Sequence, residues 1–125
     1  MLKVEKCPIE NTLGYIGKKW TLNIIRDLFL GKKRFRDFLK ANPELSTKML
    51  SARLREMEGN GLLEKSITST SPVIAEYRLT EKGKGLCGVL HALAMYSIDH
   101  HTCQVCGNCD CSKEELKEFA KKAFH

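Results

Sequence analysis

The sequence predicts a mostly helical α+β fold with one small β-ribbon and a cysteine-rich appendage. Three observations carry that expectation. Apolar residues recur at helical spacing through most of positions 9–58. The pattern then switches to two short, β-branched, roughly alternating stretches at 62–69 and 73–80. After one more helical stretch, four of the six cysteines crowd into positions 103–111.

A chain of 125 residues, 42% hydrophobic and 29% charged, has the makeup of one globular domain, or of one domain with an appendage. No apolar run approaches the ~18 residues that span a bilayer. The start, MLKVEKCPIE, has no signal-peptide apolar stretch, so the expected compartment is the cytoplasm. There, clustered cysteines point to metal binding or redox chemistry before structural disulfides.

The elements follow in order. IENTLGYIG (9–17) sets Ile9, Leu13 and Ile16 at helical spacing and ends at Gly17. WTLNIIRDLFLG (20–31) places Trp20, Ile24, Ile25, Leu28 and Phe29 on one face, with Gly31 as the stop. Trp20 is expected to pack. RFRDFLKANPEL (34–45) supplies Phe35, Phe38 and Leu39, then breaks at Asn42-Pro43 because proline cannot donate to a continuing helix.

The next helix, 46–58, opens on Ser46, whose hydroxyl can satisfy an orphan amide. Leu50, Leu54 and Met57 share its inward face, while Lys48, Ala52 and Arg55 lie opposite, flanked by Thr47 and Ser51. Gly59-Asn60-Gly61 ends it. The two β stretches, joined by Thr70, Ser71 and Pro72, form a hairpin. Thr80 caps a long helix with Leu86, Val89, Leu90, Leu93 and Tyr96 as its stripe, running to His100-His101. Ser112, Glu114 and Glu115 open a short charged helix over 113–123.

Four helices, a hairpin and a further helix describe a winged helix-turn-helix. In that architecture helix 34–41 crosses a duplex backbone and helix 46–58 enters the major groove. The charge distribution agrees. The net charge is +6, and residues 1–60 hold all of it, with 13 Lys/Arg against 7 Asp/Glu. Between Lys18 and Arg55 only Asp27, Asp37 and Glu44 oppose 11 bases. Such a field suits a polyanion, although a merely solvated basic surface is the bland alternative.

The motifs themselves resemble the HxlR-type winged-helix transcriptional regulators, distant relatives of the MarR type. The resemblance rests on Cys-Pro at 7–8, Gly-x-Lys-Trp at 17–20, Arg-Phe at 34–35 and Ser-x-Lys-Met-Leu at 46–50. Leu-Arg-Glu-Met-Glu at 54–58 and Glu-Tyr-x-Leu-Thr at 76–80 continue it. It covers Cys7 to about Leu86 and implies a homodimer joined through N- and C-terminal helices on a pseudo-palindromic operator in double-stranded DNA. It further implies that a thiol at the position of Cys7 senses oxidants or electrophiles in some members. The segment after His100 departs from the pattern. Residues 1–100 are therefore assigned to the DNA-binding and dimerisation domain, and 101–125 to the appendage.

Thr47, Lys48, Ser51 and Arg55 are the candidates for base and phosphate contact, with Arg53 at the margin. Lys18, Lys19, Arg34 and Arg36 suit phosphate clamping, as do Lys32 and Lys33, though some can serve solubility alone. Cys7 precedes a helix start beside Lys6, a setting that favours a reactive thiol; an inert half-buried thiol is the alternative. Cys87 lies near an apolar stripe and is expected to pack.

The run HTCQVCGNCDC (101–111) spaces Cys103, Cys106, Cys109 and Cys111 as C-x2-C-x2-C-x-C. A C-x2-C turn lets two thiolates bite one ion, and Gly107 permits the turned backbone. Zinc is the leading assignment. An iron–sulfur cluster, an oxidisable thiol pair and a passive tail stay open. His100, His101 or a partner subunit could replace one sulfur.

No catalytic constellation is present: there is no nucleophile elbow, no phosphate-cradling glycine loop and no H-E-x-x-H. The expected function is transcription regulation rather than catalysis. The competing reading is a small metal- or thiol-based redox protein whose basic half docks a partner. Salt-sensitive, sequence-selective duplex binding separates the two.

Overall fold

The structure, a computed structural model, describes residues 7–100. Helix α1 (Pro8–Ile16) begins with proline, whose missing N–H is no loss in a first turn. Helix α2 (Thr21–Phe29) starts one residue after Trp20, which sits at the N-cap with a left-handed φ of 81° and packs against the core. Helix α3 (Phe35–Ala41) is opened by Asp37, whose carboxylate accepts the Arg34 N–H at 3.2 Å. Helix α4 (Thr47–Gly59) is capped by Ser46, whose Oγ accepts the Met49 N–H at 3.1 Å.

The end of α4 needs a glycine. Gly61 has φ +74°, its N–H donates to the Glu58 carbonyl, and the next N–H, of Leu62, reaches back to Met57. This Schellman closure places buried Leu62 against buried Met57 and turns the chain into the hairpin. Strands β1 (Leu63–Thr70) and β2 (Val73–Leu79) pair antiparallel from Leu63–Leu79 to Thr70–Val73, with a register shift between Ile67 and Ser69. The hairpin is anchored at its base: the Tyr77 N–H donates to the Lys33 carbonyl at 2.8 Å. The Thr80 N–H likewise donates to Leu62 at 3.1 Å.

The long helix expected from Thr80 is divided. A single turn, α5 (Glu81–Lys84), is followed by α6 (Cys87–Asp99). Thr80 caps α5 as expected, its Oγ1 accepting the Gly83 N–H at 3.1 Å. Gly83 and Gly85 weaken a continuous helix. Gly83 has a further reason: a Cβ there would collide with the Leu62 carbonyl oxygen. The turn is pressed onto the base of the hairpin, and a side chain would hold it off.

The core gathers Ile24 and Ile25 of α2, Phe38 of α3, Leu50, Leu54 and Met57 of α4, Leu63 and Tyr77 of the ribbon, and Leu90 of α6. Phe38 and Tyr77 meet edge to face, with centroids 6.3 Å apart. The outer stripes of the flanking helices do not follow. Ile9 and Leu13 of α1, and Leu93 and Tyr96 of α6, are at least half exposed. Among the described residues nothing packs on those faces. Among the described residues no helix is long and apolar enough to cross a membrane. The appendage, 101–125, lies outside the described residues, and with it Cys103, Cys106, Cys109, Cys111 and the expected helix 113–123.

Candidate nucleic-acid interface

The second helix of the helix-turn-helix pair, α4, is held from below and open above. Leu50, Leu54 and Met57 are 0–3% exposed and lock one face into the core. Helical geometry then dictates what the other face shows. Thr47, Lys48, Ser51 and Arg55 are all exposed, and Ala52 between them is half-buried. No ion pair or side-chain hydrogen bond engages Lys48 or Arg55 among the described residues.

Arg53, two positions from Arg55, has a different fate. Its side chain is only 14% exposed. Its Nε donates to the Lys19 carbonyl at 2.8 Å, and Nη1 reaches both Glu56 oxygens at 3.3 and 3.4 Å. Lys18 closes the network with its Nζ 3.2 Å from Glu56. Arg53, Glu56 and Lys18 thus brace α4 against the α1–α2 junction. With Nε and Nη1 engaged and the side chain largely buried, Arg53 is committed to the protein rather than offered to a base. Lys19 lays its ammonium 5.1 Å over the Trp20 ring, and Arg34 stands 3.9 Å from Glu76 of β2. Arg36 is exposed and enters no ion pair among the described residues. The structure therefore sorts the candidate cations. Lys48, Arg55 and Arg36 face outward unpaired, whereas Lys18, Lys19, Arg34 and Arg53 are partly or wholly engaged by the protein.

The acids that share this stretch are largely withdrawn. Asp27 is 1% exposed and sits in a polar knot. It accepts from the Arg26 guanidinium at 3.0 and 3.1 Å, and from Asn42 Nδ2 at 2.7 Å. Asn42 in turn donates to the Phe38 carbonyl at 2.9 Å and accepts from Arg26 at 3.1 Å. Asp37 is spent on the amides at the start of α3. Of the three acids between Lys18 and Arg55, only Glu44 is exposed, so Asp27 and Asp37 do not stand among the outward cations. The knot also ties α2 to the turn between α3 and α4, which sets how α4 is presented.

Cys7 is exposed at the N-cap of α1, and its side chain makes no capping bond. Cys87 is half-buried at the start of α6. Both are free thiols. Among the described residues no three His, Cys, Asp or Glu side chains could hold a metal ion.

The family model described as HxlR-like helix-turn-helix matches residues 15–104 of this chain. The chain belongs to the HxlR-like helix-turn-helix family. The HxlR-like relatives are transcriptional regulators. The HTH-type transcriptional regulator YdeP of Bacillus subtilis is 42% identical over 82 residues, which is 66% of this chain and 64% of YdeP. The match thus spans less than two thirds of that relative's length. The reduced form of the transcriptional regulator YodB from B. subtilis superposes with TM-score 0.65 at 36% identity, covering 74% of this chain and 92% of YodB. The redox regulator HypR in its oxidised form gives TM-score 0.70 at 33% identity, covering 74% of this chain and 96% of HypR.

Two features of this HxlR-like surface escaped the sequence reading. The Asp27–Asn42–Arg26 knot left one trace: an aspartate inside the apolar stripe of α2, between Ile24 and Leu28. Met49 left none. It is 37% exposed at the third residue of α4, beside the outward cations rather than under them.

Proposed function

We propose that this HxlR-like chain is a homodimeric, sequence-specific DNA-binding regulator that reads a pseudo-palindromic duplex with α4. The observation that carries it is the two-sided character of that helix. Leucines and Met57 pin one face, and Lys48 and Arg55, unpaired among the described residues, project from the other with Thr47 and Ser51 beside them. Arg55 can fork onto guanine O6 and N7, and Lys48 suits guanine or phosphate. Arg36, with Lys32 and Lys33, supplies phosphate contacts from the α2–α3 side. The test is binding to duplexes selected from a random pool. Lys48→Glu with Arg55→Glu abolishes selective binding while leaving the fold intact, and retained selectivity in that variant overturns the reading.

The exposed apolar faces of α1 (Ile9, Leu13) and α6 (Leu93, Met95, Tyr96) support the dimer. A two-fold pairing there would set two α4 helices about 34 Å apart, the spacing of successive major grooves. Leu93→Glu with Tyr96→Glu is expected to yield monomers in sedimentation and to weaken duplex binding.

A redox- or metal-responsive state is the second part of the proposal. Exposure of the Cys7 thiol supports a sensing role, and the relative HypR is itself named a redox regulator. Diamide should lower duplex affinity in the native protein and not in Cys7→Ser. The spacing of Cys103, Cys106, Cys109 and Cys111 supports zinc there. Near-stoichiometric zinc with unreactive thiols in anaerobically purified protein supports that assignment; no metal and rapid alkylation overturn it.

A further inference from the structure

We infer that Met49, backed by Ala52, reads the 5-methyl group of a thymine in the major groove, and so fixes one base of each half-site. The inference rests on α4 being the reading helix. It adds which base the helix demands beside the contacts of Arg55 and Lys48.

The other large apolar residues exposed among the described residues fall into three groups. Ile9, Leu13 and Tyr15 lie on α1, Leu93, Met95 and Tyr96 on α6, and Ile67 and Val73 on the ribbon. Met49 belongs to none of these. It is the one large apolar side chain exposed on a helix whose other exposed residues are Thr47, Lys48, Ser51, Arg55, Glu58 and Gly59. Its position is rigidly set. Its own N–H is held by the Ser46 hydroxyl at 3.1 Å, and the next residue, Leu50, is fully buried.

It lies at the entering end of the helix. Recognition helices of this class touch base edges with their N-terminal residues, and Met49 is the third residue of α4. At 3.6 residues per turn it stands about 60° round from Ala52 and about 100° from Lys48. Residues three apart are neighbours on a helix surface, so Met49 and Ala52 make one apolar strip along the edge of the cationic face.

Chemistry then selects the partner. A thioether side chain has no donor and only a weakly accepting sulfur, so it gains little from a phosphate or from the polar edges of guanine, adenine or cytosine. The major groove presents one apolar group, the thymine methyl. An unbranched side chain is long enough to reach it and flexible enough to lie along it. Covering that methyl buries a CH3 that water otherwise surrounds, worth on the order of fourfold in affinity.

The experiment uses the full chain and a duplex enriched from a random pool. Each thymine is replaced in turn by deoxyuridine, which removes the methyl and nothing else. One thymine in each half-site is expected to show about fourfold weaker binding on replacement. Met49→Ala, whose unfolding midpoint should match that of the native protein, binds the thymine duplex more weakly and shows no further loss with uracil at that base. Met49→Leu keeps the discrimination. Uracil that is neutral at every position overturns the inference while leaving the DNA-reading proposal standing. An undiminished uracil effect in Met49→Ala assigns the methyl to another residue and overturns it too. Failure to enrich any duplex removes the reading-helix proposal itself, and this inference with it.

Discussion

Asp27→Ala and Asn42→Ala, made singly and together, weigh the knot that orients the helix-turn-helix. The Asp27 side chain is 2% exposed, and its shortest bond, 2.7 Å, comes from Asn42. A hydrogen bond to a buried charge contributes about 1.5–3 kcal/mol. The Arg26 side chain is 41% exposed, so water replaces much of what it loses, and its share is discounted. Asn42 Nδ2 keeps the Phe38 carbonyl when Asp27 is removed. Asp27→Ala should therefore cost about 2–3 kcal/mol. Asn42→Ala leaves the carboxylate buried with only Arg26 and should cost about as much, roughly 2–4 kcal/mol. The double variant should cost less than the sum, with a coupling of about 1.5–3 kcal/mol. Urea unfolding at one fixed protein concentration measures this, with the single tryptophan, Trp20, packed against the core as the reporter. A coupling within about 0.5 kcal/mol of zero would refute the reasoning, because independent sites add to within that margin.

Arg53→Ala and Arg55→Ala should separate bracing from reading. The first lowers the unfolding midpoint and leaves the salt dependence of duplex binding unchanged. The second leaves the midpoint unchanged and flattens the log–log salt slope by about one unit if Arg55 contacts a phosphate, or relaxes base preference at one position if it forks onto guanine. Gly83→Ala should destabilise by at least about 3 kcal/mol or prevent folding, since its Cβ would meet the Leu62 carbonyl. Gly88→Ala, in α6 with open space around it, should be neutral or stabilise by up to about 1 kcal/mol in thermal unfolding. The Tyr77 hydroxyl holds its proton above the usual 10.0, first through burial and then through the Glu58 carboxylate. The unfolded chain therefore gives up that proton first as pH rises, so the stabilisation is complete below about pH 10 and is lost above it. Tyr77→Phe should flatten this alkaline loss in pH-dependent unfolding.

Local rules carried the element order. Ser46 and Thr80 cap where a hydroxyl precedes a helix. Gly61 closes α4, and the ribbon pairs within a residue of the expected limits. The inward set of α4 was legible because Leu50, Leu54 and Met57 recur at helical spacing. The long helix expected after Thr80 is divided, and the need for glycine at 83 is invisible locally because it is imposed by the Leu62 carbonyl, far back in the chain. The stripes of α1 and α6 announced apolar faces correctly, but periodicity is silent on whether one copy of the fold covers them.

The sequence by itself determined where the first four helices start and stop to within a residue or two, which side of α4 is apolar, and where the positive charge accumulates, because capping, periodicity and charge act across a few residues. Only the tertiary structure decided which charges are free. Arg53 and Arg55 are chemically alike and two positions apart, yet one is clasped by Lys19 and Glu56 while the other faces solvent. Asp27 enters the charge count like any other acid, yet it is buried, held by Asn42, 15 positions along. A side chain's availability depends on what the neighbouring element presents to it, and that neighbour is chosen by folding rather than by adjacency in the chain.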